Sequence, residues 1–135
     1  MSSQEFQSFA TVEEPDLVIG HYVGSVDVGD IRRVADVQRT FCKGKPHVFL
    51  MADLHRMDRI TPEARRVAVE PVDSTPILAM ALVGASFHIR VIGTMLIRGA
   101  QILRPESAFP TRFFESQAEA RVWLDELRRQ LLARA

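Results

Sequence analysis

A chain of 135 residues is one domain by length and is long enough to bury a core without staples. At 47% hydrophobic and 25% charged it has an ordinary globular composition, and its 17 basic and 17 acidic side chains cancel. That balance removes the electrostatic case for nucleic acid, whose binding rests on phosphate neutralisation, and for steering to an anionic membrane.

Cys42 is the only cysteine, which excludes an internal disulfide and a cysteine-rich metal site and suits a reducing compartment. The opening MSSQEFQSFATVEE has no basic start followed by an apolar run, so no secretion signal is read there. No stretch reaches the roughly 18 apolar residues of a membrane span. The best candidate, 87–103, is interrupted by Arg90 and Arg98. The expectation is a cytoplasmic protein of one domain, residues 1–135.

In chain order, SFATVEE and LVIGHYVGSV read as two short strands joined at Glu14-Pro15-Asp16, a turn-forming triplet. Asp27 then caps a helix, and Ile31, Val34, Ala35, Phe41 and Cys42 share its inner face. Lys43-Gly44-Lys45-Pro46 ends it. HVFLMADL is apolar without alternation until Asp53, which predicts a central strand covered on both faces. A basic loop is read after it. TPEARRVAVE is the second helix, with Thr61 as N-cap and Pro62 at the first helical position. ILAMALVG is a second central strand, and Ser86 caps a third helix lasting to about Leu103. RPESAFPT is irregular, TRFF is a short last strand, and SQAEARVWLDELRRQLLARA is the last helix, opened by a Ser116/Glu119 capping box. Ala120, Trp123, Leu124, Leu127 and Leu131 form its buried stripe, and Arg128 and Arg129 suit the negative end of its dipole. The order β-β-α-β-α-β-α-β-α predicts an α/β sandwich with a mixed, mostly parallel sheet of about five strands and four helices.

Three stretches, YVGSVDVGDI, ADLHRMDRITPEARR and TRFFESQAEARVWL, resemble the STAS domain, and within it the SpoIIAA-like group of anti-sigma-factor antagonists. The resemblance covers nearly the whole chain. It implies a STAS-like sandwich, usually non-enzymatic, that acts by contacting other proteins or by binding a small ligand. In such antagonists an Asp-Ser-Ser-Gly stretch with a phosphorylatable serine opens the second helix. Here Thr61-Pro62-Glu63-Ala64 stands in its place, so the resemblance implies that the switch serine is missing.

The carboxyl ends of the central strands are the usual binding edge of an open α/β sheet. Asp53, His55, Arg56 and Arg59 follow one strand, Ser86, His88 and Arg90 follow the other, and Thr61 and Glu63 open the second helix. Together they form a candidate interaction rim. The plainer reading has Asp53 capping local amides and the charges simply solvated. Catalysis has little footing. Gly84-Ala85-Ser86-Phe87-His88 carries His where a nucleophile elbow needs its second glycine. Ser86 and His88, two apart, diverge on a helix, and the four histidines show no paired metal spacing. No enzyme activity, cofactor or metal is expected.

The third helix has a thin polar stripe of Arg90, Thr94, Arg98 and Gln101 in an otherwise apolar surface. That apolar arc is wider than the about 100° a surface helix usually keeps. Something besides the sheet must cover it: the 104–111 segment, a second copy in a homodimer, a protein partner or an apolar small ligand. Ile92, Met95, Leu96 and Leu103 are its candidate self-association or ligand face. The reading is a regulatory or protein-interaction module of STAS type, with binding or carrying of a lipid-like ligand as the alternative.

Overall fold

Side chains at four positions decide where the helices begin. Asp27 accepts from the Asp30 amide at 2.9 Å, and Asp30 returns the favour to the Asp27 amide at 3.1 Å. Thr61 accepts from the Ala64 amide, Ser86 from that of Ile89, and Ser116 from that of Glu119, at 3.2, 3.3 and 3.2 Å. Each cap satisfies an amide that has no partner inside its helix and contributes about 1 kcal/mol. In the computed structural model, which describes residues 7–70 and 76–133, these caps open α1 (Val28–Cys42), α2 (Pro62–Ala68), α3 (Phe87–Leu103) and α4 (Gln117–Leu132).

The strands are β1 (Phe9–Glu13), β2 (Leu17–Val26), β3 (Val48–Ile60), β4 (Ile77–Val83) and β5 (Thr111–Phe114). A single 3₁₀ turn, Pro105–Ser107, separates α3 from β5. One sheet holds all five strands in the order β1-β2-β3-β4-β5. β1 runs antiparallel to β2, and every other pairing is parallel. This is the expected element order and the expected mixed, mostly parallel sheet.

Period-two alternation sends the strands' side chains to two separate cores. On one face Leu17, Ile19, Phe49, Met51, Ala79, Ala81 and Val83 pack against Ala120, Trp123, Leu124 and Leu127 of α4. On the other, Ala52, Leu54 and Leu82 meet Ile89 and Ile97 of α3, and Val26, Ile60 and Ala64 meet Ile92 and Leu96. With both faces covered, the central strands have no wet side, which is why they read as unbroken apolar runs.

The largest departure from expectation is the length of β3. The basic loop read after Leu54 is strand, continuing to Ile60 beside the second half of β2. Between the pairs His21–Asp53 and Val23–Arg56, β2 advances two residues and β3 three. Between Gly24–Met57 and Ser25–Arg59, β2 advances one and β3 two. Two extra residues in β3 therefore shift its inward positions to Leu54, Met57 and Ile60, three apart. A spacing of three hides a strand from any search for alternation. Arg56 and Arg59 consequently sit on strand rather than loop.

The β1–β2 hairpin is tied to α4 by charge. Asp16, only 3% exposed, takes a two-pronged bond from Arg128 and a third contact from His47 at 3.1 Å. Arg121 makes a second two-pronged pair with Glu13, at 2.9 and 2.6 Å. Arg128, read as a cation that merely suits the helix dipole, is thus a cross-tie, and it also lies 5.1 Å over the Phe49 ring.

Candidate functional site

β3 and β4 run side by side in register, and β4 ends at Val83, opposite Asp53 in the middle of the longer β3. The first extra residue of β3 falls there, within Leu54-His55, and the bulge lets Asp53 hold the residue two ahead. Its Oδ1 accepts from the His55 amide at 3.1 Å and from His55 Nδ1 at 2.8 Å. Its Oδ2 accepts from Gln117 Nε2, at the start of α4, at 2.8 Å. The other imidazole nitrogen, His55 Nε2, reaches the Glu115 carbonyl at 3.1 Å. Asp53 does bond a local amide, as the plainer reading had it, and it also joins β3 to α4.

Burial works to raise the Asp53 carboxyl, but the bonds from His55 and Gln117 outweigh it and hold it below the usual carboxylate range. The Asp53 bond raises His55 above the usual imidazole value, against a small opposing effect of burial. Across the sheet, burial lowers His21, with the Asp53 charge opposing it. His21 stacks on Phe9 at 4.5 Å and shares a 2.9 Å bond with Thr11, in keeping with a structural role.

The ring of His55 lies over Gly84. A Cβ built on Gly84 would stand 2.4 Å from its carbons, and Gly84 has φ +73°, a left-handed conformation that favours glycine. Beside this contact opens a shallow cleft of about 190 Å³ lined by His55, Gly84, Ala85, Arg90, Phe113, Phe114 and Glu115. Arg90 lies 5.3 Å over the Phe113 ring. A second cleft, about 210 Å³, lies on the far side of the molecule between the β1–β2 hairpin and α4.

The nine rim residues therefore divide. Asp53, His55 and Arg90 gather about Gly84, and Ser86 follows in the same turn. Thr61 and Glu63 begin α2 at the far end of β3, roughly 20–25 Å further along at the usual strand rise. Arg56 and Arg59 lie between, with Arg59 bonded to Ser25 of β2 at 3.1 Å. Ser86 has its hydroxyl committed to capping α3, and both His55 nitrogens face oxygen acceptors. No nucleophile–base pair is assembled from these residues. His88 lies exposed on α3.

On α3 the candidate self-association or ligand face divides. Ile92, placed on the candidate outer face, is 8% exposed and packs with Val26, Ile60 and Ala64, while Leu96 is half-buried beside it. The outward residues are Phe87, Met95, Ile102 and Leu103, at 83%, 68%, 80% and 71% exposure, together with Val91. Phe87, Val91, Met95 and Ile102 fall within about 80° of arc, a stripe along the whole helix. The 3₁₀ turn touches α3 but leaves that stripe open. Neither described cleft is lined by it. Among the described residues no helix is long and apolar enough to cross a membrane.

Comparison with known proteins agrees with this architecture. The pattern of a domain of unknown function, DUF7793, matches residues 19–128. A solved structure of an uncharacterised DUF3478 protein with a SpoIIAA-like fold, from Shewanella loihica PV-4, superposes with a TM-score of 0.58 at 15% identity, covering 92% of this chain and 98% of that one. The unphosphorylated anti-sigma factor antagonist SpoIIAA gives a TM-score of 0.51 at 12% identity, over 85% of this chain and 96% of that one. No curated protein matches the sequence. The fold is SpoIIAA-like, as the resemblance implied.

Proposed function

The chain belongs to the DUF7793 family, and we propose that it is a non-enzymatic regulatory module of STAS type that works by docking another protein on α3. The observation that carries this reading is the exposed stripe of Phe87, Val91, Met95 and Ile102. A large aromatic side chain 83% exposed at one end of a rigid apolar ridge is the usual anchor of a protein contact. The ridge begins beside Ser86, so Ser86, His88 and Arg90 of the candidate rim share one helix with the apolar face.

Its charge favours a partner over a second copy. Residues 84–105 include no acidic side chain, whereas Arg90, Arg98 and Arg104 are cationic. The complementary surface is apolar with an acidic border. Two copies of this face would instead set like charges against one another. The missing switch serine fits constitutive docking: Thr61 spends its hydroxyl on the α2 cap, and Glu63 is an exposed acid that needs no phosphate. The single cysteine, Cys42, is buried and outside any disulfide, which suits a cytoplasmic setting.

The test compares wild-type protein with a Phe87→Ser, Met95→Ser variant. Intact mass, native and then denatured, is read together with crosslinking to purified acidic and basic amphipathic helical peptides. A monomer that crosslinks the acidic peptide through α3, and loses it in the variant, supports the reading. A dimer abolished by the same substitutions would assign the face to self-association. A retained apolar adduct would favour the lipid-carrier alternative.

A further inference from the structure

We propose that His55 is a proton-controlled latch, closed when its imidazole carries two protons, that clamps the middle of β3 to the β5–α4 turn and keeps the neighbouring cleft narrow. The argument starts from donor counting. Nδ1 faces the Asp53 carboxylate at 2.8 Å and Nε2 faces the Glu115 carbonyl at 3.1 Å. Both partners are oxygens that only accept, so both ring nitrogens must donate. A neutral imidazole donates from one nitrogen alone. Both contacts can be hydrogen bonds at once only in the imidazolium form.

Loss of a proton breaks the two bonds unequally. The bond to the charged carboxylate is the stronger, so Nδ1 keeps its hydrogen. Nε2 then points a lone pair at the Glu115 carbonyl oxygen, and that contact turns from attraction to repulsion. The ring is half-exposed and has solvent to swing into. Its departure uncovers Gly84, whose left-handed backbone it had roofed, and enlarges the cleft between Arg90 and Phe113. Asp53 stays tethered to α4 through Gln117, so the latch opens without releasing the helix.

The surrounding charges set where this happens. Asp53 lies in contact and favours the charged ring, while the exposed Glu115 carboxylate belongs to the same turn. Arg90, from α3, lines the same cleft, and Arg56 is the next residue of β3. His21, Asp53's partner on β2, is lowered by burial, with the Asp53 charge opposing. The folded imidazole titrates above its ordinary value, which places opening on the alkaline side of that value.

The experiment is a pH titration of isotope-labelled protein by NMR, reading the His55 ring nitrogens, the Glu115 carbonyl carbon and the Phe113 ring. The expected result is one shared midpoint above 6.5, with both His55 nitrogens protonated below it. Asp53→Asn should lower that midpoint, and His55→Gln should abolish the Glu115 and Phe113 transitions in a protein with otherwise unchanged amide shifts. A His55 midpoint at or below 6.5 overturns the latch. So does a His55 titration to which Glu115 and Phe113 are indifferent, for His55 would then be a static ion-pair partner.

Discussion

Arg128 grips Asp16 with two guanidinium nitrogens, at 3.0 and 2.8 Å, across 112 residues of chain. The carboxylate is almost fully buried, and His47 approaches one of the same oxygens. The last helix is thereby held to the first hairpin by an ion pair rather than by apolar packing alone.

Removing the guanidinium should be costly. Arg128→Met leaves a buried carboxylate with only His47 as partner, and the loss is about 2–3 kcal/mol, the lower end for a broken buried pair because Arg128 keeps some solvent. At about 4 °C per kcal/mol for a domain of this size, the midpoint of thermal unfolding should fall by about 10 °C. An Asp16→Leu, Arg128→Met double variant should recover part of that loss, since no charge is then stranded. A loss equal to the sum of the single variants would show the pair to be uncoupled.

The same pair makes stability depend on acid. Burial pushes Asp16 up, but the bonds from Arg128 and His47 outweigh it and leave the group below its ordinary value. Glu13 is lowered too, chiefly by its bond to Arg121. A carboxylate held low contributes stability that is fully present above its unfolded value, near 3.8 for Asp, and is lost as pH falls through the folded one. Denaturant midpoints should therefore be flat from about pH 5 upward on this account and drop steeply below about pH 4. In Asp16→Asn the drop should be shallower and the plateau lower. An acid limb unchanged by that substitution would remove Asp16 from the explanation.

Gly84 should resist replacement for two separable reasons. Its φ of +73° costs a side-chain-bearing residue roughly 1–2 kcal/mol. A new Cβ would also meet the His55 ring at 2.4 Å, which must then leave its place between Asp53 and Glu115. Gly84→Ala should thus lower stability by about 2 kcal/mol and bring the His55 titration back toward 6.5. Gly24, also left-handed at φ +66° but with nothing near its missing Cβ, is the control. Gly24→Ala should show the backbone cost alone and leave His55 untouched.

How much of this was legible beforehand follows from how local each cause is. The helix starts at Asp27, Thr61, Ser86 and Ser116 rest on one side chain and an amide three residues on, so sequence spacing reveals them. The central strands at 48–53 and 77–83 are legible because burial on both faces leaves an unbroken apolar run. β3 beyond Asp53 was hidden by its two extra residues, which replace a period of two with a spacing of three. Asp53 and His55 could be singled out from their place after an apolar strand. Glu115 and Gln117, which complete the cluster from sixty or more residues further along the chain, carried no signal, and neither did the partnership of Asp16 with Arg128. For α3 the pattern revealed an apolar arc too wide for one buried face but not which side the sheet would take.

That last ambiguity yields the sharpest stability contrast in the molecule. Ile92 and Met95 lie within one turn of the same helix, one packed among Val26, Ile60 and Ala64, the other 68% exposed. Ile92→Ala removes buried methyl and methylene groups and leaves a cavity, a loss of about 2–4 kcal/mol. Met95→Gln replaces an outward apolar side chain with a polar one of similar length and helix propensity, so the change should stay within about 0.5 kcal/mol. The two are to be compared by chemical denaturation of the isolated protein. If Met95→Gln proves as damaging as Ile92→Ala, the outer stripe is covered in the free chain. The surface proposed for docking would then not be available to a partner.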